Sequence, residues 1–295
     1  MPNPTRRNFL KTAGCMLAAS SIAGRPLLAA PKRGLNMAYG LVTYQWAKDW
    51  DLPTLIKNCE TAKVQGVELR TTHKHGVERT LNTKQREEVV KRFNDSDVTL
   101  VGIGSNERFD NPDPAVVKKA IEATKEFVRL SRDVGGTGVK VKPDRFHKDV
   151  PREKTIVQIG KALNELGEYA TGFGQQIRLE VHGQCAELPT IKAILDVADN
   201  ENVAICWNSN AQDLQGKGLE YNYKLVSKRF GATCHVRPLD SKEYPYQKLI
   251  DLLVADDYAG WVMLEDGRIP KNPVEELAKQ VDLFASMVKR AQGKL

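Results

Sequence analysis

Gly138-Val139-Lys140-Val141-Lys142 is followed by an amphipathic run from Arg152 to Phe173, and then by Gln176-Ile177-Arg178-Leu179-Glu180-Val181-His182. A second amphipathic run, Leu188 to Ala198, leads to Val203-Ala204-Ile205-Cys206-Trp207-Asn208. Short β-rich stretches thus alternate with longer stretches of helical period. Strands joined through helices run parallel, because each helix returns the chain to the same edge of the sheet.

The alternation continues in both directions. Upstream it predicts strands at Met37–Tyr44, Gly66–Arg70 and Thr99–Gly104, with helices at Leu52–Val64, Lys84–Asn94 and Pro114–Val134. Downstream it predicts strands at Thr233–Arg237 and Gly260–Glu265, and helices at Leu219–Phe230, Pro245–Ala255 and Val274–Gln292. Asp51 before Leu52-Pro53, Gly135-Gly136, and Asn272-Pro273 sit where helices should start or stop. Eight such units in residues 31–295 predict a single-domain (β/α)8 TIM barrel. The competing open, doubly wound sheet would favour a G-x-G-x-x-G after the first strand, and none is there.

Charge and hydropathy narrow the function classes. No run of 18 apolar residues is present, so no spanning helix is expected. The net charge of +7 is concentrated at the start, where Arg6, Arg7, Lys11 and Arg25 lie in thirty residues without an acid. Beyond residue 30 the balance is only +3, with no dense basic run, which offers nucleic acid no electrostatic footprint.

The first thirty residues read as an address. Thr5-Arg6-Arg7-Asn8-Phe9-Leu10-Lys11 resembles the twin-arginine export motif at every defined position. A weakly apolar stretch, Ala13–Ala23, and the small residues Ala29 and Ala30 complete the layout of a cleavable signal over residues 1–30. The resemblance implies a periplasmic or otherwise exported protein that meets the twin-arginine machinery and keeps no stable membrane anchor. That route carries folded proteins, which suits a metal loaded before export, away from copper and zinc that outcompete weaker binders. Cys59, Cys185, Cys206 and Cys234 remain in the barrel; without a CxxC spacing they are expected as buried free thiols.

In a parallel barrel the site lies where the C-terminal strand ends meet. Those ends are polar: Glu68 and Arg70 followed by His73 and His75; Lys140 and Lys142; Glu180 and His182; Asn208 and Asn210; His235 and Arg237; Glu265 and Asp266. Residues i and i+2 of a strand share a face, so Lys140/Lys142, Glu180/His182 and His235/Arg237 can point the same way. Charges brought together in a barrel mouth are expensive unless paired or bound to metal. A carboxylate, a carboxamide, an imidazole and a carboxylate on four consecutive strands suit a divalent cation.

Glu180 in Ile177–Gly183, His235 in Cys234–Arg237 and Glu265 in Trp261–Glu265 resemble the xylose-isomerase-like barrels, a superfamily of sugar phosphate isomerases/epimerases that includes the ketose 3-epimerases. The resemblance spans about Asn36 to the C-terminus. It implies one divalent ion held by Glu180, Asn208, His235 and Glu265, manganese first, with cobalt, zinc, iron and magnesium as further candidates. Asn208 departs from the family's usual Asp, and Ala211 stands where the epimerases often carry a His three residues later. The ligand set then carries −2 in place of −3.

The resemblance further implies a metal-bound enediolate, with Glu180 and Glu265 passing a proton to and from a sugar carbon. His182, Arg237, Lys140, Lys142 and His75 are the expected substrate contacts. The leading expectation is an exported metal-dependent isomerase or epimerase of a free sugar. One alternative is a lyase or deglycosidase that uses the same proton abstraction on a 3-keto-glycoside. Another is a non-catalytic sugar-binding barrel, which the weakened ligand Asn208 would suit. An apurinic-site endonuclease shares the fold, but it needs several zinc ions, and five histidines are too few. Assembly into a homo-oligomer is left open.

Overall fold

The computed structural model describes residues 33–294. The elements alternate strictly: β1 (Ala38–Val42), α1 (Leu52–Ala62), β2 (Gly66–Arg70), α2 (Thr83–Asn94), β3 (Thr99–Arg108), α3 (Pro114–Asp133), β4 (Gly138–Lys142) and α4 (Arg152–Thr171). They continue as β5 (Gln176–Glu180), α5 (Leu188–Val197), β6 (Val203–Asn208), α6 (Leu219–Val226), β7 (Phe230–Val236), α7 (Tyr246–Ala255), β8 (Trp261–Leu264) and α8 (Pro273–Gln292). Every strand pairs in parallel with its sequence neighbours, and β8 closes on β1 with Ala38 opposite Trp261 and Leu41 opposite Leu264. The expected (β/α)8 barrel is the fold.

Boundaries shift from the predicted ones for local reasons. α1 ends at Ala62 because Lys63 turns left-handed, with φ at 59°. α2 starts early because Asn82 and Gln85 exchange side-chain and backbone hydrogen bonds of 2.9 and 3.0 Å, a capping box. Phe230, expected to close a helix, opens β7 instead. Its ring packs against Trp207 and Tyr223, with centroids 5.6 and 5.2 Å away, which favours an extended backbone there.

The main core fills the layer between the strands and the helices, with Val67, Leu69, Ile103, Val139, Leu179 and Ile205 on the strands and Leu55, Ile159, Leu163 and Ile191 on the helices. Inside the barrel the apolar content is small: Val42, Val101 and Met263, with Tyr44 and Trp261 against them. Barrel interiors are usually packed with branched aliphatics. This one buries Glu68, Lys140, Arg178, Glu180, Thr233 and His235. Arg178 forms the floor, its guanidinium donating to Gln176 Oε1 at 3.0 Å and Thr137 Oγ1 at 2.6 Å. Gly138 makes room for it: a Cβ there would stand 2.9 Å from the Arg178 guanidinium carbon.

Cys59, Cys185, Cys206 and Cys234 are free and buried. No helix among the described residues is long and apolar enough to cross a membrane. The signal assigned to residues 1–30 lies outside the described residues.

Candidate active site

At the C-terminal end of the barrel, β5, β7 and β8 bring Glu180, His235 and Glu265 together. One ligand atom from each lies within 4.8 Å of the others. His235 Nδ1 is 3.3 Å from Glu265 Oε2 and 3.7 Å from Glu180 Oε1, and its Nε2 is 3.3 Å from Glu68 Oε1. Lys140, fully buried, places Nζ 2.8 Å from Glu180 Oε2. Asn208 Nδ2 donates to Glu180 Oε1 at 2.9 Å. Both oxygens of Glu180 are therefore engaged, one by an ammonium and one by a carboxamide.

The cluster's charges hold one another in place. Burial works against the Lys140 ammonium, but Glu180, Glu265 and Glu68 outweigh it and keep its pKa above the ordinary lysine range. Burial likewise favours a neutral Glu180, yet Lys140 and His235 hold the carboxyl well below the usual carboxylate range. Glu265 is also lowered: burial and Glu180 oppose its charge, while His235 and Lys140 prevail. Lys142 is lowered by burial, with Lys140 and Arg70 adding to the effect.

Above this cluster opens a cavity of about 280 Å³. Glu180, Asn208 and Glu265 reach it from below; Lys142, His182, Asn210 and Arg237 wall one side, and Tyr44 and Arg70 the other strand ends. His182 Nδ1 meets Asp144 Oδ1 at 2.9 Å and its Nε2 meets Lys142 Nζ at 3.4 Å. Arg237 Nη1 is 3.7 Å from Asp266 Oδ1, which tethers it at the rim.

Of the predicted site residues, Glu180, Asn208, His235 and Glu265 converge, and His182, Arg237 and Lys142 face the cavity. Lys140 is placed beneath it, as a partner of Glu180 out of reach of a ligand in the cavity. His75 is placed elsewhere. Its Nε2 bonds the Arg70 carbonyl at 2.8 Å and its Nδ1 accepts from the Val77 N–H at 3.0 Å, so it pins the loop after β2 with both ring nitrogens occupied. Two participants carry no role in the sequence reading: Glu68, named there only as a polar strand end, and Asp144, not named at all. Glu68 shares the inward parity of Arg70, and Asp144 continues the parity of Lys140 and Lys142 past Pro143; strand alternation was the signal for both.

A divalent ion fits the donor set. Ligand bonds of roughly 2.0–2.2 Å place two donors on one ion about 4 Å apart or closer; the His235 separations of 3.3 and 3.7 Å satisfy this, and the Glu180 and Glu265 donors lie within 4.8 Å of each other. His235 Nδ1 is buried without a hydrogen-bond partner. A half-turn of the Asn208 carboxamide would replace Nδ2 with Oδ1 beside Glu180.

The solved structure of the IolI protein with a bound zinc atom is similar, at TM-score 0.72 and 17% identity over 86% of this chain and 99% of that one. L-ribulose 3-epimerase matches at TM-score 0.73 and 16% identity, over 88% and 96%. The 3-keto-D-glucoside 4-epimerase of E. coli matches at 0.72 and 14%, over 85% and 99%. At these identities the likeness is one of fold. No curated protein sequence matches the chain significantly. Residues 56–287 match the model of the xylose isomerase-like TIM barrel family, and the chain belongs to that family.

Proposed function

We propose that this protein is a divalent-metal-dependent isomerase or epimerase of a free sugar, exported by the twin-arginine route. One observation carries the reading: donor atoms of Glu180, His235 and Glu265 converge beneath a polar cavity at the end of the barrel where such enzymes work. Glu180, His235 and Glu265, with Asn208 turned to offer Oδ1, would hold the ion. Bound there, it would polarise a carbonyl and the adjacent hydroxyl and so acidify the C–H between them.

The chain's own residues supply the rest. One of Glu180 and Glu265 takes the proton from carbon, and the other returns one to the far face. Glu265 is the more open of the two, with 13% of its side chain exposed against 1% for Glu180. Lys142 and Arg237 hold substrate oxygens and offset the negative charge that develops on them. A cavity of about 280 Å³ is just below the usual range of small-molecule sites, which run from roughly 300 Å³ upward, and its small size and polar wall suit a monosaccharide. The motif Thr5–Lys11 supports export.

The first test is elemental analysis of protein purified without chelator, wild type beside His235→Ala. About one ion per chain in the wild type, absent in the variant, is expected; no ion in the wild type, even after titration, would overturn the metal reading. Glu265→Gln should stay folded and lose exchange of a sugar C–H with deuterated solvent. Release of an aglycone from a 3-keto-glycoside would redirect the same proton abstraction to elimination.

A further inference from the structure

Asp144, His182 and Lys142 form a chain of contacts along the cavity wall, and only its last member has a part in the reaction above. Asp144 is buried, two residues beyond β4. Its Oδ2 lies 2.8 Å from Arg108 Nη1 and its Oδ1 2.9 Å from His182 Nδ1. Arg145 Nη2 lies farther off, 3.6 Å from the same Oδ2. All three neighbours meet the carboxylate as donors, because arginine has no acceptor and the ring's other nitrogen faces an ammonium. His182 thus carries its proton on Nδ1 and offers the Nε2 lone pair to Lys142 Nζ at 3.4 Å.

The backbone is built to keep that carboxylate in place. Asp144 is left-handed, with φ at 65°, a conformation that aspartate tolerates better than most residues. Its carbonyl accepts the N–H groups of Gln184, at 2.7 Å, and Cys185, at 3.3 Å. Gly183, with φ at 70°, passes so close that any Cβ would collide with the same carbonyl. The loops after β4 and β5 are therefore locked together at the point from which the carboxylate reaches His182. A residue held in a sparsely populated conformation by its surroundings invites a functional explanation.

We propose that Asp144 is a positioning residue which, through His182, aims the ammonium of Lys142 at a substrate oxygen in the cavity. Lys142 has three donors. One meets His182 Nε2, a second faces Glu180 Oε2 at 3.9 Å, and the third is left for the ligand. The inference rests on the isomerase reading for its consequence, but not for its geometry.

Asp144→Asn separates the two. A carboxylate accepts on both sides, whereas a carboxamide offers one oxygen and one NH2. Arg108 would keep the oxygen, the NH2 would face the ring, and His182 would have to move its proton to Nε2, against the ammonium. Nitrogen-15 NMR of the full chain at pH 8 reads this directly: Nδ1–H in the wild type and Nε2–H in the variant. Solvent-deuterium uptake into D-fructose should fall about 100-fold in kcat with a much smaller change in KM, as for loss of one donor to a developing oxyanion. Asp144→Gly, which suits the left-handed backbone, should lose as much, and it guards against misfolding of the first variant. An unchanged tautomer in Asp144→Asn would overturn the role of Asp144. A wild type that shows the expected tautomer but exchanges no hydrogen on D-fructose or on a wider set of ketoses would instead overturn the isomerase reading.

Discussion

Lys140 and Asn208 give this site a charge balance of its own. Lys140 neutralises Glu180 at 2.8 Å from a position with no exposure to solvent. Removing one partner of such a buried pair leaves the other uncompensated, which typically destabilises by about 3–5 kcal/mol. Lys140→Met should therefore lose that much unfolding free energy in chelator, measured by urea denaturation. A loss below about 1 kcal/mol would show that Lys140 does not hold Glu180 ionised. Asn208→Asp tests the opposite change. A second carboxylate where Nδ2 now lies 2.9 Å from Glu180 Oε1 should weaken the metal-free protein. It should also tighten binding of manganese or zinc by about 10-fold or more, because an added unit charge near an ion exceeds 1.4 kcal/mol even at moderate screening. Equal affinities by titration calorimetry would count against Asn208 as a ligand. At this scale much was legible. Alternation along β4, β5 and β7 identified Lys140, Glu180 and His235 as inward residues, but not that Lys140 would spend its charge on Glu180.

The loop from β2 to α2 shows why a histidine near a site need not belong to it. His75 lies five residues beyond Arg70, and its ring is absorbed by two backbone groups of its own loop. Burial pushes its pKa down to about 4. An unfolded histidine takes up its proton near pH 6.5. Between those values the unfolded chain binds more protons, so stability should fall as the pH is lowered from 6.5 to 4, by about 3 kcal/mol. His75→Gln should show a flatter profile over that window in denaturation experiments; an identical slope would show that His75 is not what titrates. Sequence could not distinguish this fate from a ligand's. The ring's partners, the Arg70 carbonyl and the Val77 N–H, are peptide groups that every residue carries, and only the loop's path brings them together.

Across the whole molecule, the barrel pairs an aliphatic outer layer with a polar interior. The outer layer supplies the stability that the interior charges draw upon. The four cysteines belong to the buried framework, and their thiols are raised by burial, Cys59, Cys185 and Cys234 to about 12. Since the thiolate is the reactive form, iodoacetamide should label none of them in the native barrel and all four after denaturation in urea. Export with removal of residues 1–30 would remove Cys15, so the denatured mature protein should count four thiols where the intact chain counts five. A native protein that labels readily would contradict the burial of these cysteines.

The sequence by itself determined the barrel and the list of residues that point into it. Both follow from local periodicities, two residues for a strand and 3.6 for a helix, that one segment displays alone. Tertiary structure decided which of those residues meet. The register slips between Val67 and Glu68 against β3, and between Ile205 and Trp207 against β7. Such shifts, together with the closure of β8 on β1, set the height of each side chain inside the barrel. The unbroken register of β5 on β4, with Lys140 opposite Arg178, places Lys140 under Glu180, barrel closure brings Glu68 beside His235, and the contact between the loops after β4 and β5 sets Asp144 behind His182. These are distances between segments far apart in the chain, and no periodicity within one segment encodes them.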